Sequence, residues 1–176
     1  MHDHSAANDQ SSDSGQMNKM DGSPADERSQ PVRFSDTVVP NQQPGGGPKH
    51  IYNILVVEDD PTLATLETDT LTAQGYTVVT VPSGELAITT LHHAIPDLVV
   101  LDLELTGEIH GWEVLQVVRS LAPIPVLITS SSVTRARLYM RQSGETRLTL
   151  DHLPKPYPLQ ALLKRIQRML PISPTH

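Results

Sequence analysis

Apolar and polar positions divide the chain near residue 51. Before it, polar and small residues follow one another without a period; after it, short apolar runs alternate with amphipathic stretches. The run YNILVVED is apolar and β-branched, which predicts a strand. Asp60-Pro61 then supplies an N-cap followed by proline at the first helical position. Leu63, Leu66, Thr70 and Ala73 recur at helical spacing, and Gly75 is a C′ stop. TVVTV predicts a second strand, and Ser83 caps a helix with Ala87, Ile88, Leu91 and Ile95 on one face. DLVVLDLEL is a nearly continuous apolar run, as in a strand covered on both faces, and GWEVLQVVRSL is a helix facing inward through Val114, Leu115, Val118 and Leu121. IPVLITS predicts a fourth strand, VTRARLYMRQSG a weaker helix on Val133, Ala136 and Met140, and RLTLDHL a fifth strand. After a Pro-Lys-Pro turn, Leu159, Leu162, Leu163, Ile166 and Leu170 form the clearest amphipathic stripe.

Strands alternating with helices through residues 51–170 predict an α/β fold, a five-stranded doubly wound parallel sheet with right-handed crossovers and helices on both faces. The folded unit is drawn at residues 50–172. Residues 1–49, rich in Ser, Gln, Asn, Pro and Gly and ending near Gly45-Gly46-Gly47, predict a disordered polar tail and linker. No internal repeat is visible.

Composition narrows the function classes. The 176 residues carry no cysteine, which excludes a disulfide framework, a thiolate zinc site and a cysteine nucleophile. The opening MHDHSAANDQ is polar, and no apolar run approaches the ~20 residues of a membrane span, so a cytoplasmic protein with no membrane partner is expected. The net charge of -7 speaks against non-specific nucleic-acid binding by the whole chain. That total is uneven: residues 51–113 hold eleven acids and no Lys or Arg, while residues 114–176 hold nine bases and two acids.

In a doubly wound sheet, ligands bind at the carboxyl ends of the strands near the switch in strand order. There the first strand ends in Glu58-Asp59-Asp60, the third in Asp102 and Glu104, the fourth in Thr129-Ser130-Ser131 and the last in Lys155-Pro156. Carboxylates ~4 Å apart repel by about 4 kcal/mol per pair at an effective dielectric near ~20, which a divalent cation offsets. Oxygen ligands suit Mg²⁺ or Mn²⁺. The lysine and hydroxyls supply donors for a phosphoryl group.

The motifs ILVVEDDP, PDLVVLDLELTGEIHGWEVL, IPVLITSSS and HLPKPY stand in order across residues 51–170. Together they resemble the flavodoxin-like receiver domain of two-component response regulators, including the single-domain chemotaxis regulators. The resemblance implies that Asp102 accepts a phosphoryl group from a sensor histidine kinase or a phosphotransfer protein. It implies Mg²⁺ held by Asp59 and Asp102, with the Glu104 backbone carbonyl as a third ligand and Glu58 acting through water. Lys155 would pair with phosphoryl oxygens ahead of a cis Pro156, Ser130 (or Thr129) would be the switch hydroxyl, and His152 would occupy the aromatic switch position. Such a chain is a signalling phosphoacceptor rather than an enzyme acting on a separate substrate. Thr106 stands where the family often has proline, and Glu104 is expected to alter the lifetime of the acyl phosphate.

Other readings are a receiver that is never phosphorylated, a haloacid dehalogenase-like phosphatase resembling Asp102-Leu103-Glu104-Leu105-Thr106, and a Toprim-like nucleic-acid enzyme. The last two fit poorly: Glu104 replaces the second aspartate of both signatures, and the dehalogenase motif ends a first strand rather than a third. With no output domain after Leu170, the expected output is protein contact or phosphoryl relay without direct DNA binding. Arg135, Arg137, Arg141 and Arg165 would present a basic face to an acidic protein target.

Overall fold

The computed structural model describes residues 50–170. The expectations for residues 1–49 and for the end of the unit at residues 171–172 lie outside the described residues. β1 (Asn53–Val57), α1 (Pro61–Ala73), β2 (Thr77–Val81), α2 (Gly84–His93) and β3 (Leu98–Asp102) follow in order. α3 (Gly111–Leu121), β4 (Val126–Ser130), α4 (Val133–Ser143), β5 (Leu150–Pro154) and α5 (Leu159–Met169) complete the alternation. The strands form one parallel sheet in the order β2-β1-β3-β4-β5. The α/β fold class is therefore as expected, and the order reverses between β1 and β3.

Central strands must be apolar on both sides, because helices cover both sides. Ile54, Val56, Leu98, Val100 and Leu127 face a core closed by α1 and α5 through Leu71, Leu162 and Ile166. Their neighbours Leu55, Val57, Val99, Leu101 and Ile128 face a second core closed by α2, α3 and α4 through Leu91, Leu115 and Ala136. Asp60 caps α1, its carboxylate accepting from the Thr62 and Leu63 N–H groups at 2.8 and 3.1 Å. Gly75 ends that helix at φ 88°.

Several inward faces differ from the expected ones. α1 buries Ala64, Glu67 and Leu71, while Leu66 is 47% exposed. Two leucines pointed the period one residue away from the true stripe, which contains a buried acid. Ile95 lies beyond α2 and is exposed. Only Ala136 of α4 is fully buried, so this helix rests lightly on the sheet. Residues 147–149 form a turn ahead of β5.

Candidate functional site

The strand ends bring one row of side chains to the carboxyl edge. Pairing aligns Asp102 with Thr129 and Thr129 with Leu153. Alternation along the strands puts Glu58, Asp102 and Thr129 on the side covered by α1 and α5. Ser130 and His152 fall on the other side, toward α4.

Glu58 and Asp102 are buried, and Lys155 Nζ donates to Glu58 Oε2 and to Asp102 Oδ2, both at 2.8 Å. The other Asp102 oxygen, Oδ1, accepts from the Glu104 N–H at 2.8 Å, and Glu58 Oε1 accepts from the Asp60 N–H at 3.1 Å. Asp59 Oδ2 accepts from the Thr106 N–H at 2.9 Å. A proline at position 106 has no such donor. Ligand oxygens of Glu58, Asp59 and Asp102 all lie within 4.8 Å of one another. This all-oxygen set fits a hard divalent cation such as Mg²⁺.

The protonation of these groups follows from burial and pairing. Burial pushes the Glu58 carboxyl up against the opposing hydrogen bond from Lys155. Desolvation would lower Lys155, but its hydrogen bonds to Asp102 and Glu58 outweigh this and hold it above the usual lysine range. Desolvation also works against the Asp59 charge, yet hydrogen bonds from Thr106 leave its carboxyl below the usual range.

The loop after β3 is pinned from several directions. A Cβ at Gly111 would sit 2.2 Å from the Asp102 carbonyl oxygen, so only glycine lets α3 start against this strand end. His110 Nδ1 meets the Leu105 carbonyl at 2.9 Å, and the Ile109 N–H donates to Glu85 at 3.1 Å. Glu104 turns its carboxylate onto the next loop, accepting from the Ser131 N–H at 3.0 and 3.1 Å and from the Ser132 N–H at 3.2 Å. The sequence placed this charge near Asp102 but gave no sign of that contact.

The two hydroxyls considered for the switch are differently placed. Thr129 Oγ1, beside Asp102 in register, is buried without a hydrogen-bond partner among the described residues. Ser130 Oγ lies 3.5 Å from His152 Nε2. His152 is buried, which pushes its imidazole below the usual range, and nearby Arg137 and Arg165 add to the effect.

A groove of about 710 Å³ runs from α4 to β5 and α5, lined by Arg137, Arg141, Arg147, His152 and Arg165 among others. Arg165 and Arg168 both pair with the buried Asp151, which sequence reasoning did not connect to them. Arg135 stacks over the Trp112 ring, 5.2 Å from its centroid, so it belongs to the contact between α3 and α4 rather than to this groove.

The family model of the response regulator receiver domain matches residues 54–167. The chain belongs to the response regulator receiver family. The DNA-binding response regulator MtrA of Mycolicibacterium smegmatis is 34% identical over 118 residues, covering 66% of this chain and 50% of that protein. The probable transcriptional regulatory protein TcrX of Mycobacterium tuberculosis is 32% identical over 119 residues, 66% of this chain and 49% of its own. A response regulator structure from Chloroflexus aurantiacus shares 28% identity at TM-score 0.59, covering 68% of this chain and 98% of that one. The chemotaxis protein CheY4 of Vibrio cholerae, at 23% identity and TM-score 0.56, covers 69% and 100% and shares the fold.

The receiver thus spans about half the length of the curated relatives it matches. MtrA's name counts against the expectation of no direct DNA binding, although a match over half of that protein leaves its DNA binding with MtrA. The receiver family serves two-component signalling rather than classical enzyme turnover. Among the described residues no helix is long and apolar enough to cross a membrane.

Proposed function

We propose that this receiver accepts a phosphoryl group on Asp102 from the phosphohistidine of a sensor histidine kinase or a phosphotransfer protein, and so alters a protein-binding face. The observation that carries the reading is the Asp102 carboxylate at the sheet edge, with Oδ2 on Lys155, Oδ1 on the Glu104 N–H, and two further carboxylates beside it. Glu58, Asp59, Asp102 and the Glu104 backbone carbonyl are the groups that would hold Mg²⁺, or Mn²⁺ in its place. When bound, the cation neutralises charge on the transferring phosphoryl oxygens.

An Asp102 carboxylate oxygen attacks phosphorus, the P–N bond to the donor histidine breaks, and its electron pair leaves on the imidazole. Lys155 Nζ, already 2.8 Å from Asp102, passes to a phosphoryl oxygen as the negative charge moves outward. Ser130 is the proposed switch hydroxyl, with Thr129 the alternative. Its contact with His152 links this hydroxyl to the basic groove. Glu104 holds the Ser131 and Ser132 amides, and through them it tunes the lifetime of the acyl phosphate.

Incubation with Mg²⁺ and acetyl phosphate is expected to add about 80 Da, the mass of one phosphoryl group, to the wild type and nothing to Asp102→Asn. An unmodified wild type would support an interaction module that is never phosphorylated. The excess of arginine at Arg137, Arg141 and Arg147 favours an acidic protein target in the groove. Binding of that target is expected to weaken with salt and with Arg137→Glu and Arg141→Glu. Salt-independent binding would rule this target chemistry out.

A further inference from the structure

A carboxyl group that the phosphoacceptor chemistry does not use lies below the site. Glu67, on α1, is fully buried, and the Tyr157 hydroxyl donates to its Oε1 at 2.5 Å. Its Oε2 has no hydrogen-bond partner among the described residues. Tyr157 stands two residues after Lys155, in the segment joining β5 to α5. Glu67 stands about two helical turns after the Asp60 cap that follows the Glu58-Asp59 pair. The bond therefore ties together the two segments that carry Lys155 and the first-strand acids, across 90 residues of sequence.

Thr129 extends the same polar layer. It faces Asp102 in register, and its hydroxyl lies near that of Tyr157. Beneath the layer is the apolar core of α1 and α5, against which Tyr157 packs. A leucine facing a phenylalanine would fill such a place without desolvating a carboxyl group. What the polar pair adds is direction, because a buried hydrogen bond is satisfied in few arrangements whereas apolar contacts tolerate sliding.

We propose that Glu67 and Tyr157 are positioning residues whose bond fixes the chain beside Lys155, holding Nζ between Glu58 and Asp102 and setting how readily it yields that place to a cation. The inference rests on the reading of Asp102 as a phosphoacceptor and names what positions its lysine partner. It does not require phosphorylation to be tested.

The full-length chain is compared with Tyr157→Phe, Glu67→Leu and Glu67→Gln in divalent-free buffer. Acetylation of lysines by acetic anhydride is followed by peptide mass, with exposed Lys164 as the internal reference. Lys155 Nζ is engaged by its two carboxylate partners at 2.8 Å, so its acetylation reports its position. Tyr157→Phe and Glu67→Leu are expected to raise Lys155 acetylation relative to Lys164 by about fivefold, the effect of one lost hydrogen bond. Both are also expected to shift the Mg²⁺ affinity measured by calorimetry. Glu67→Gln retains an oxygen that accepts from Tyr157 and is expected to stay within about twofold.

A loss of melting temperature with unchanged Lys155 reactivity and unchanged Mg²⁺ affinity in Tyr157→Phe would overturn the proposal, leaving a merely structural pair. Should Glu67→Leu fail to fold, Tyr157→Phe carries the test, since it keeps the ring. If the wild type takes no phosphoryl group, the phosphoacceptor reading fails while Lys155 reactivity still decides the positioning role. If phosphorylation occurs and Lys155 reactivity does not move in Tyr157→Phe, the positioning role alone fails.

Discussion

At the carboxyl edge the sheet presents two unlike sides. On the side of α1 and α5, charged groups crowd together: Glu58 and Asp102 share Lys155, and buried Glu67 meets Tyr157 just below. On the side of α4, Ser130 meets His152, and the arginines stand farther out along an open groove, where buried Asp151 pairs with Arg165. One strand step separates them, because Thr129 faces the first side and Ser130 the second. Stability on the first side depends on pairing charges in a low dielectric, where a missing partner is costly. On the second, around Ser130 and His152, it depends on ordinary packing and one long hydrogen bond. A phosphoryl group on Asp102, as proposed, would therefore act where electrostatic energies are large, while the proposed readout at Ser130 and His152 lies where they are small.

The largest effect is expected from Lys155→Ala, which leaves Glu58 and Asp102 buried together without their common partner. In divalent-free buffer, denaturant unfolding should show a loss of about 4 kcal/mol, the cost typical of breaking a buried ion pair. Mg²⁺ should restore part of it, because a ligand that binds only the folded state stabilises it. A loss no larger than that of Ser130→Ala would erase the contrast between the two sides.

Next in size is the pH dependence carried by Glu67. Burial pushes its carboxyl from 4.5 up to about 7. The folded state therefore holds a proton there that the unfolded chain has lost between pH 4.5 and about 7. Stability contributed by this group is fully present at low pH and declines as pH rises through that window. At ~1.4 kcal/mol per unit, the decline is on the order of 3 kcal/mol, and Glu67→Gln should remove it from a series of unfolding curves.

Much of this arrangement is legible in the chain. Asp60-Pro61 and Gly75 mark the ends of α1 by local chemistry, and the alternation of strands with helices implies the parallel sheet. Given a parallel sheet, the rule about strand ends gathers Glu58, Asp59, Asp102 and Lys155 at one edge without any knowledge of distances. Glu67 could not be found in that way. Periodicity counts apolar residues, and Leu63 and Leu66 outvote a stripe of Ala64, Glu67 and Leu71 whose acid is tolerable only because Tyr157 reaches it. Glu104 and Arg135 were legible as charges and not as contacts. The first turns to the Ser131 and Ser132 amides and the second to the Trp112 ring, choices set by a loop path and by how α4 sits on α3, which no local pattern encodes.

Thr106→Pro sharpens the comparison at a smaller scale. It removes the N–H that orients Asp59 while leaving the α4 side untouched. If Asp59 holds Mg²⁺ as proposed, loss of the N–H that orients it should weaken Mg²⁺ binding by about tenfold in a calorimetric titration. The His152 environment, followed by its imidazole NMR signals, should not change. A shift in those signals would mean that the two sides are coupled before any phosphoryl group arrives.

The smallest effect is expected on the α4 side itself. Burial holds the His152 imidazole below its usual value of 6.5, with Arg137 and Arg165 adding to the depression and the Ser130 backbone and Asp151 opposing it. The unfolded chain then takes up a proton that the folded state refuses, so stability from this group is present above that value and is lost as pH falls below it. This slope is opposite in sign to that of Glu67, and the two overlap near pH 6. Measured in the Glu67→Gln background, acidification should destabilise the protein, and adding His152→Gln should flatten the curve. Ser130→Ala should cost at most about 1 kcal/mol at neutral pH, as suits a hydrogen bond at the limit of its length. An acid-side decline that survives His152→Gln would place the titrating group elsewhere and leave the neutral side of the sheet with no pH response of its own.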